Sequence, residues 1–321
     1  GAFRFNTDSS QLEIYDGNQW TVVLSGLTPD LQTGGARGWF MTGYGPADVD
    51  TIDYITISTA GNAIDFGNDT VSRRQAGGCS SRIRGLCAAG TPDIDTISYF
   101  TFSSTGNAAD FGNLTGSKNG APAGCSDSTR GLFCGGDNPL QDTIEYVTMA
   151  SAGNAVDFGN LITAAKHFGG SANSPTRGII AGGMTPTVLN SIEYVTTAST
   201  GNAADFGDLT VARRGAGVGP CSNAVRAIFG GGYAPSASNS IEYVTMATLG
   251  NAIDFGDLPN TPTMPASTAS STRAVFAGGG SPLTVAINYV QIMTTGNATD
   301  FGDLTDDREQ PVGVSNGHGG L

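Results

Sequence analysis

The apolar residues of this chain fall in short runs separated by glycines and polar turns, and residues 177–214 show the pattern most clearly. Residues 178–181 form a continuous apolar run before a Gly-Gly pair, as expected for a strand buried on both faces. Residues 191–197 alternate between apolar and polar, which predicts a second strand. A Thr-Gly-Asn turn leads into a third strand that contains Phe206. The weakly patterned residues 215–222 are the candidate for a fourth.

This pattern occurs six times. A Gly-Asn-Ala triplet recurs, with successive Asn residues 45, 47, 48, 49 and 46 positions apart. In each copy a Tyr lies eight residues before the Asn, and an Asp-Phe pair begins three residues after it. The Asn residues are Asn62, Asn107, Asn154, Asn202, Asn251 and Asn297. A fixed period of this length indicates one supersecondary unit per repeat, which buries its apolar face only against its neighbours.

Four short antiparallel strands per repeat are typical of a β-propeller blade. The sequence therefore predicts an all-β propeller. Because the Tyr and Phe of each copy lie on neighbouring strands, we expect Tyr146, Phe158 and their equivalents to form the core between blades.

The order of residues in each copy resembles the kelch repeat of β-propellers. The order is Arg, apolar strand, Gly-Gly, variable loop, Asn-Ser-Ile-Glu-Tyr, a later aromatic residue, then Leu and Arg, and it extends over residues 37–317. The kelch Trp is replaced by Phe in a phrase Gly-Asn-Ala-x-Asp-Phe-Gly. A phrase of this kind resembles marine bacteriophage proteins that are predicted tail-fibre and virion structural components. The resemblance thus implies a kelch-like propeller from a virion.

The N-terminal residues 1–23 resemble a short hairpin module that is common in phage fibre proteins. Their apolar pattern predicts strands over residues 2–5, 12–15 and 20–24, with a turn at residues 16–18. This module has three strands and lacks a fourth.

Closure of the ring is predicted from the phase of the repeat. The Arg that opens each copy recurs at Arg37, Arg84, Arg130, Arg177, Arg226 and Arg273, and the next step of 45 residues falls on His318. Residues 310–315 then have the phase of a fourth strand without a blade, and we expect them to join the N-terminal module. This predicts seven blades, in which residues 1–36 contribute to the closing blade, residues 37–317 form six repeats, and residues 318–321 begin a seventh. The alternative is six blades with the N-terminal hairpin as a separate connector.

Composition narrows the set of partners. The chain has 48 Gly, 13% charged residues and a net charge of −13, with Lys and Arg spread singly. Such a chain repels phosphate backbones, so we expect no nucleic-acid partner. No run of eighteen apolar residues occurs, which argues against insertion in a membrane. The five Cys are odd in number and lack metal-ligand spacing, which predicts structural thiols and synthesis in a reducing cytoplasm.

The repeated polar residues could in principle bind a cation, since Asn62 and Asp65 offer amide and carboxylate oxygens in each turn. The favoured interpretation is architectural: Asn tolerates a left-handed turn, Asp accepts backbone N–H bonds, and the repeated Arg pairs with that Asp across blades. Some kelch-type propellers are copper oxidases, but here the only histidines are His167 and His318. We therefore expect no metal, no cofactor and no enzymatic activity.

The loop after Gly-Gly varies most among the six copies. On a propeller these loops would gather on one face, where such folds usually bind partners. Tyr44, Asp137, Met184 and Tyr233 are the candidate partner-binding residues in these loops. Together with the resemblance, they favour a non-enzymatic structural or adhesive component of a phage virion. Its expected partners are other virion proteins and a host-surface glycan or protein. A free-standing glycan-binding propeller is the alternative, and a degenerate kelch-type oxidase is a third candidate.

Overall fold

Six antiparallel sheets carry the six repeats in the computed structural model of the chain. The structure describes residues 2–6, 11–15, 20–22, 36–120, 122–137, 139–163 and 169–321. It divides into two compact units, Gly1–Gly35 and Ala36–Leu321. Every element of the described residues is a strand, a bridge or a turn. The prediction of an all-β propeller is confirmed.

The blades are numbered here by the repeat that supplies most of their strands. From the first strand to the last, the strands of blades 1 to 3 are Val312–Ser315, Arg37–Tyr44, Asp48–Thr56 and Ile64–Asn68; Gly77–Ser80, Arg84–Ala88, Ile94–Thr101 and Ala109–Lys118; Ala123–Ser126, Arg130–Gly136, Gln141–Thr148 and Val156–Asn160. Those of blades 4 to 6 are Gly170–Asn173, Arg177–Ala181, Ser191–Thr196 and Ala204–Asp208; Arg226–Gly230, Ser240–Thr245 and Ile253–Asp257; Ala266–Ala269, Arg273–Ala277, Ala286–Gln291 and Thr299–Asp303. Blade 5 also carries a small hairpin, Tyr233–Ala234 with Ser236–Ala237.

The prediction of the fourth strand needs one correction for its place in the fold. The last segment of each repeat crosses to the next blade and pairs with the strand that begins at the next opening Arg. Gly170–Asn173, for example, forms the first strand of blade 4 beside Arg177–Ala181. In blade 5 the corresponding residues 215–222 form only isolated bridges, for example Ser222 with Ala227. First strands of neighbouring blades approach closely, since a Cβ on Gly124 would collide with the carbonyl of Gly78. They therefore surround the axis, and glycine is required where they meet.

The outermost strand of each blade contains a β-bulge at its Phe. In blade 3, Asp157 pairs with Glu145 and Gly159 with Ile144, so Phe158 is the extra residue. Phe158 packs with Ile180 and Val195 of blade 4 and is buried. The ring of the half-buried Tyr146 meets that of Phe158 edge-on, 6.0 Å between centroids. The predicted core between blades is confirmed at this pair, and the same Tyr–Phe contact recurs in all six blades.

The leading prediction of seven blades is wrong, and the six-bladed alternative is the one that the structure has. Val312–Ser315 pairs with Arg37–Tyr44, the second strand of blade 1, and not with the N-terminal strands. Blade 1 therefore combines one strand from the end of the chain with three from repeat 1. The physical reason is that the first strand of every blade comes from the preceding repeat. Residues 310–315 therefore complete blade 1, and no strand remains for a seventh blade.

The N-terminal unit is a three-stranded antiparallel sheet of Phe3–Asn6, Gln11–Tyr15 and Trp20–Val22, as predicted. The rings of Tyr15 and Trp20 lie 5.4 Å apart, and the Arg4 guanidinium lies 4.2 Å from the Trp20 ring centroid. The predicted turn at residues 16–18 lies outside the described residues.

Closure by one terminal strand predicts opposite effects for two truncations. Removal of residues 310–321 should expose the open edge of Arg37–Tyr44, lower the unfolding temperature and cause aggregation. Removal of residues 1–34 should leave a folded ring, because no strand of the N-terminal unit belongs to a blade. The unfolding temperature of both variants is measured by circular dichroism, and their aggregation by light scattering. A ring that unfolds after the N-terminal truncation but survives the C-terminal one would contradict it.

Candidate functional site

Each Gly-Asn-Ala turn is docked on the outermost strand of the preceding blade. In the first interface, Gly106 N–H donates to the Phe66 carbonyl at 2.9 Å, and Ala108 N–H donates to the Asn68 carbonyl at 2.8 Å. Asn107 Oδ1 accepts from the Asn68 N–H at 3.1 Å. The same three bonds recur at all six interfaces, and Asn62 closes the ring by accepting from Asp303 N–H at 3.2 Å.

This docking corrects the interpretation of the repeated Asn. None of the six Asn residues has a positive φ; the positive φ belongs to the preceding glycine, with +158° at Gly201, and the Asn side chain forms a hydrogen bond between blades. The Asn oxygen that could ligate a cation accepts one hydrogen bond in this arrangement. The glycine of Asp-Phe-Gly is also required, because a Cβ on Gly67 would lie 2.5 Å from the Gly106 carbonyl oxygen.

The opening Arg does not pair with the Asp of the turn. Its guanidinium lies over the Tyr of its own blade, 4.5 to 5.3 Å from the ring centroid in the six copies. In blades 2 to 6 it also donates to a backbone carbonyl of the next blade, as Arg84 does to Met149 at 3.0 Å. A guanidinium is suited to this double role because it stacks on a ring and still directs donors along its edge.

A second set of charges is buried between blades. The basic residue seven positions after the Phe meets the acid of the Ile-Glu-Tyr phrase in the next blade. Such pairs are Arg308 with Asp53 at 2.7 Å, Lys118 with Glu145 at 3.6 Å, and Arg213 with Glu242. Burial lowers the pKa of Lys118, and the attraction of Glu145 opposes that shift. Buried charges of this kind are tolerated because each has a partner.

At two interfaces the residues at both positions of this ion pair, or its carboxylate, differ from those of the other blades. In blade 2 the acid is replaced by Ser98, and Asp69 supplies the missing carboxylate 2.7 Å from Arg73, where the five other repeats have Leu. Arg73 also donates to the Ser98 hydroxyl at 2.5 Å. Between blades 5 and 6, Pro262 and Asn288 stand at the two positions, so neither charge is present there. For blade 4, the residues that would face Glu193 lie partly outside the described residues.

A charge relocation tests this arrangement. Asp69→Leu should lower the free energy of unfolding by about 3–5 kcal/mol, because it leaves Arg73 buried without its carboxylate. Adding Ser98→Glu should restore at least half of that loss, since it recreates the pair of blades 3 and 5. The four variants of this double-mutant cycle can be compared by urea denaturation. A double variant no more stable than Asp69→Leu would show that the positions are not interchangeable.

His318 lies near the axis and is fully enclosed, and it does not take the place of an opening Arg. Its Nε2 is 3.1 Å from the Ser80 carbonyl, and its Nδ1 is 3.1 Å from Gly320 N and 3.3 Å from Asn173 Nδ2. These partners fit a neutral ring that donates from Nε2 and accepts at Nδ1. Burial lowers the pKa of His318 to about 4, with opposing contributions from the Ser80 bond and from Asp127, and a lowering one from Arg82. The other predicted histidine, His167, lies outside the described residues.

The environment of His318 predicts a pH dependence of stability. The folded-state pKa lies below the value of about 6.5 expected for an unfolded chain, so between the two the unfolded state binds the additional proton. The contribution of His318 to the free energy of unfolding is fully present above pH 6.5. It is lost as the pH falls toward 4, and the total loss is roughly 3 kcal/mol. Carboxylates also titrate near pH 4, so the measurement is the difference between wild type and His318→Gln. An equal pH slope in both proteins would contradict it.

The five cysteines are free and buried, as the prediction of structural thiols requires. Burial raises the pKa of the Cys87 thiol to about 12, although nearby Arg73 opposes this. Burial likewise raises the pKa of Cys221 to about 12. Thiols of this kind are protonated and poorly reactive at neutral pH. Among the described residues no cluster of three His, Cys, Asp or Glu side chains could hold a metal ion.

The four candidate loop residues lie at the end of an Arg-initiated strand or just after it, and they form separate groups. The structure brings Met184 and Tyr233 together through Arg214, whose Nη1 is 3.4 Å from the Met184 sulfur and whose guanidinium is 5.3 Å from the Tyr233 ring centroid. Tyr44 instead contacts Arg74, at 4.6 Å from its ring centroid. Asp137 exchanges two backbone hydrogen bonds with Asn119 in another blade.

Arg74 and Arg214 are residues of this face that sequence reasoning missed. Each directly follows a buried Arg, at Arg73-Arg74 and Arg213-Arg214, and the doubled Arg was the signal available. The first Arg of each pair enters the interface between blades, and the second lies beside the loops. Arg74 also pairs with Asp48 at 3.4 Å.

By its fold the chain is a six-bladed β-propeller closed by its C-terminal strand. No protein-family model matches it, and no curated protein matches it in sequence. The described part of the chain contains no helix long and apolar enough to cross a membrane.

Proposed function

We propose that the chain is a non-enzymatic structural or adhesive component of a bacteriophage virion, a fibre or appendage whose propeller presents its variable loops to the host surface. The observation that carries the proposal is how these loops are held. Backbone hydrogen bonds join Tyr44 to Glu309 and Tyr233 to Arg214, in both directions at each pair. A loop fixed at its base can vary at its tip without disturbing the ring, as a display surface requires.

The repeated residues support the same proposal. The Asn of every turn, the Tyr–Phe pair and the opening Arg are all engaged in contacts within or between blades. Selection for a closed and stiff ring accounts for their repetition. The resemblance of the repeated phrase and of the N-terminal residues to phage fibre proteins supports the virion as its place, with other virion proteins as partners and synthesis in the host cytoplasm.

A free-standing glycan-binding propeller is the second candidate, and the group of Arg214, Met184 and Tyr233 favours it. The Tyr233 side chain is 37% exposed beside a cation, and an exposed aromatic ring suits stacking on the apolar face of a sugar. In this candidate the free protein would bind glycans without any particle.

Localisation separates the two candidates. Antibodies raised against the purified chain should label intact phage particles in electron micrographs, and the chain should remain with particles through density-gradient purification. Recovery of the chain only as free protein would contradict the virion proposal.

Loop variants then test the adhesive role. Tyr233→Ala and Met184→Ala should reduce binding of the purified protein to host cells. Leu249→Ala should not, because Leu249 is more exposed than Tyr233, at 56% against 37%, but lies in the turn between Ser240–Thr245 and Ile253–Asp257, at the other face of blade 5. Equal binding by all three variants would remove the loops as the recognition surface.

A further inference from the structure

A pocket of about 350 Å³ opens on blade 1, at the edge of the ring opposite to the variable loops. It lies between the start of the second strand and the Gly-Asn-Ala turn, and it is lined by Arg37, Tyr54, Thr56, Thr59, Asn62 and Ile64. Its size is at the lower end of small-molecule sites, about 300–1,000 Å³.

Arg37 differs from its five equivalents in the other blades. In blades 2 to 6 the guanidinium donates to a carbonyl of the next blade, at 3.0, 3.1, 2.8, 3.1 and 2.8 Å. Within the described part of the chain, the Arg37 guanidinium makes no such bond, while the backbone N–H of Arg37 donates to the side-chain oxygen of Asn316 at 2.8 Å. Its contact with the Tyr54 ring, at 5.3 Å, is the longest of the six. Among the described residues, the five N–H donors of the Arg37 guanidinium therefore have no hydrogen-bond acceptor and can serve a ligand.

The packing between blades 1 and 2 is where this difference arises. The carbonyl that Arg37 would reach by analogy belongs to Phe102, whose ring stacks on Trp39 with centroids 3.8 Å apart. The equivalents of Trp39 in the other blades are Leu or β-branched residues, and those of Phe102 are aliphatic, Met or Thr. The interface that loses the bond to Arg37 is therefore the one filled by stacked aromatic rings.

The groups that line the pocket indicate a class of ligand. A guanidinium that has no acceptor among the described residues can bind a carboxylate through two parallel hydrogen bonds. Thr56, Thr59 and the Asn62 amide offer polar groups beside it, while Tyr54 and the exposed Ile64 supply apolar surface. A polyhydroxylated ring has this combination of polar edge and apolar face. We propose that the pocket binds a sugar that carries a carboxylate, of the uronic acid kind.

This proposal does not depend on the function proposed for the loops, since it concerns the other edge of the ring. The measurement is ligand-observed NMR titration of the full chain with glucuronate, with glucose as the neutral ring and acetate as the carboxylate without a ring. Glucuronate should bind saturably, and glucose and acetate should each bind at least about tenfold more weakly, because each lacks one half of the recognition.

Matched pairs of variants test whether the sugar binds in this pocket. Arg37→Gln should abolish binding with little loss of thermal stability, whereas Arg84→Gln should keep binding and lose stability, because it removes the bond to Met149. Ile64→Asp should also abolish binding by placing an anion in the pocket. Its control is Ile253→Asp, at the same position of blade 5 and with the same exposed fraction, 58%. These exposed substitutions also serve if Arg37→Gln fails to fold.

The contrary outcomes are equally definite. Absence of saturable glucuronate binding, equal binding of glucose or acetate, or equal loss of binding in the blade 1 variants and their controls would each overturn the proposal. None of these outcomes bears on whether the chain is found on phage particles, so failure here and failure of the virion proposal remain distinguishable.

Discussion

A blade of this protein can bury its apolar face only against the next blade, and this constraint governs the rest of the structure. The apolar clusters accordingly extend across interfaces: Phe158 of blade 3 packs on Val195 of blade 4, and Phe301 of blade 6 packs in the same cluster as Ile55 of blade 1. A ring that failed to return to blade 1 would leave two such faces in water. The cost of exposing them makes closure a condition for folding.

The repeated phrase meets that constraint with backbone geometry as well as with apolar packing. The Phe of each outermost strand enters the next interface because a bulge makes it the extra residue. The following Gly lets the neighbouring turn approach, and the Asn of that turn satisfies an N–H that the end of the sheet would leave unpaired. The phrase therefore recurs because its residues form two halves of one interface, and a change in one copy affects the neighbouring blade.

The departures from the repeat carry the chemical information. Asp69 replaces a Leu in the one interface whose acid has become Ser98, which shows that the buried cation selects for a carboxylate but accepts more than one position for it. Arg37 has lost the bond that its five equivalents keep, and a pocket lies beside it. Arg74 and Arg214 follow buried arginines and place cations among the variable loops. In a repeat protein, a residue that differs from its equivalents in the other repeats indicates a position where the contacts between blades do not require one residue type.

The sequence by itself determined the all-β class, the six repeats, the first three strands of each and the core role of Tyr146 and Phe158. These follow from periodicity, and periodicity is a local property. The number of blades was decided only by the tertiary structure, because one terminal strand can complete either the first repeat or a blade of its own, and strand phase is the same in both. The contacts of Asn62, His318 and Arg37 were decided there too. Each depends on which atoms of another blade lie within about 3 Å, and hydrogen bonds are that short in range.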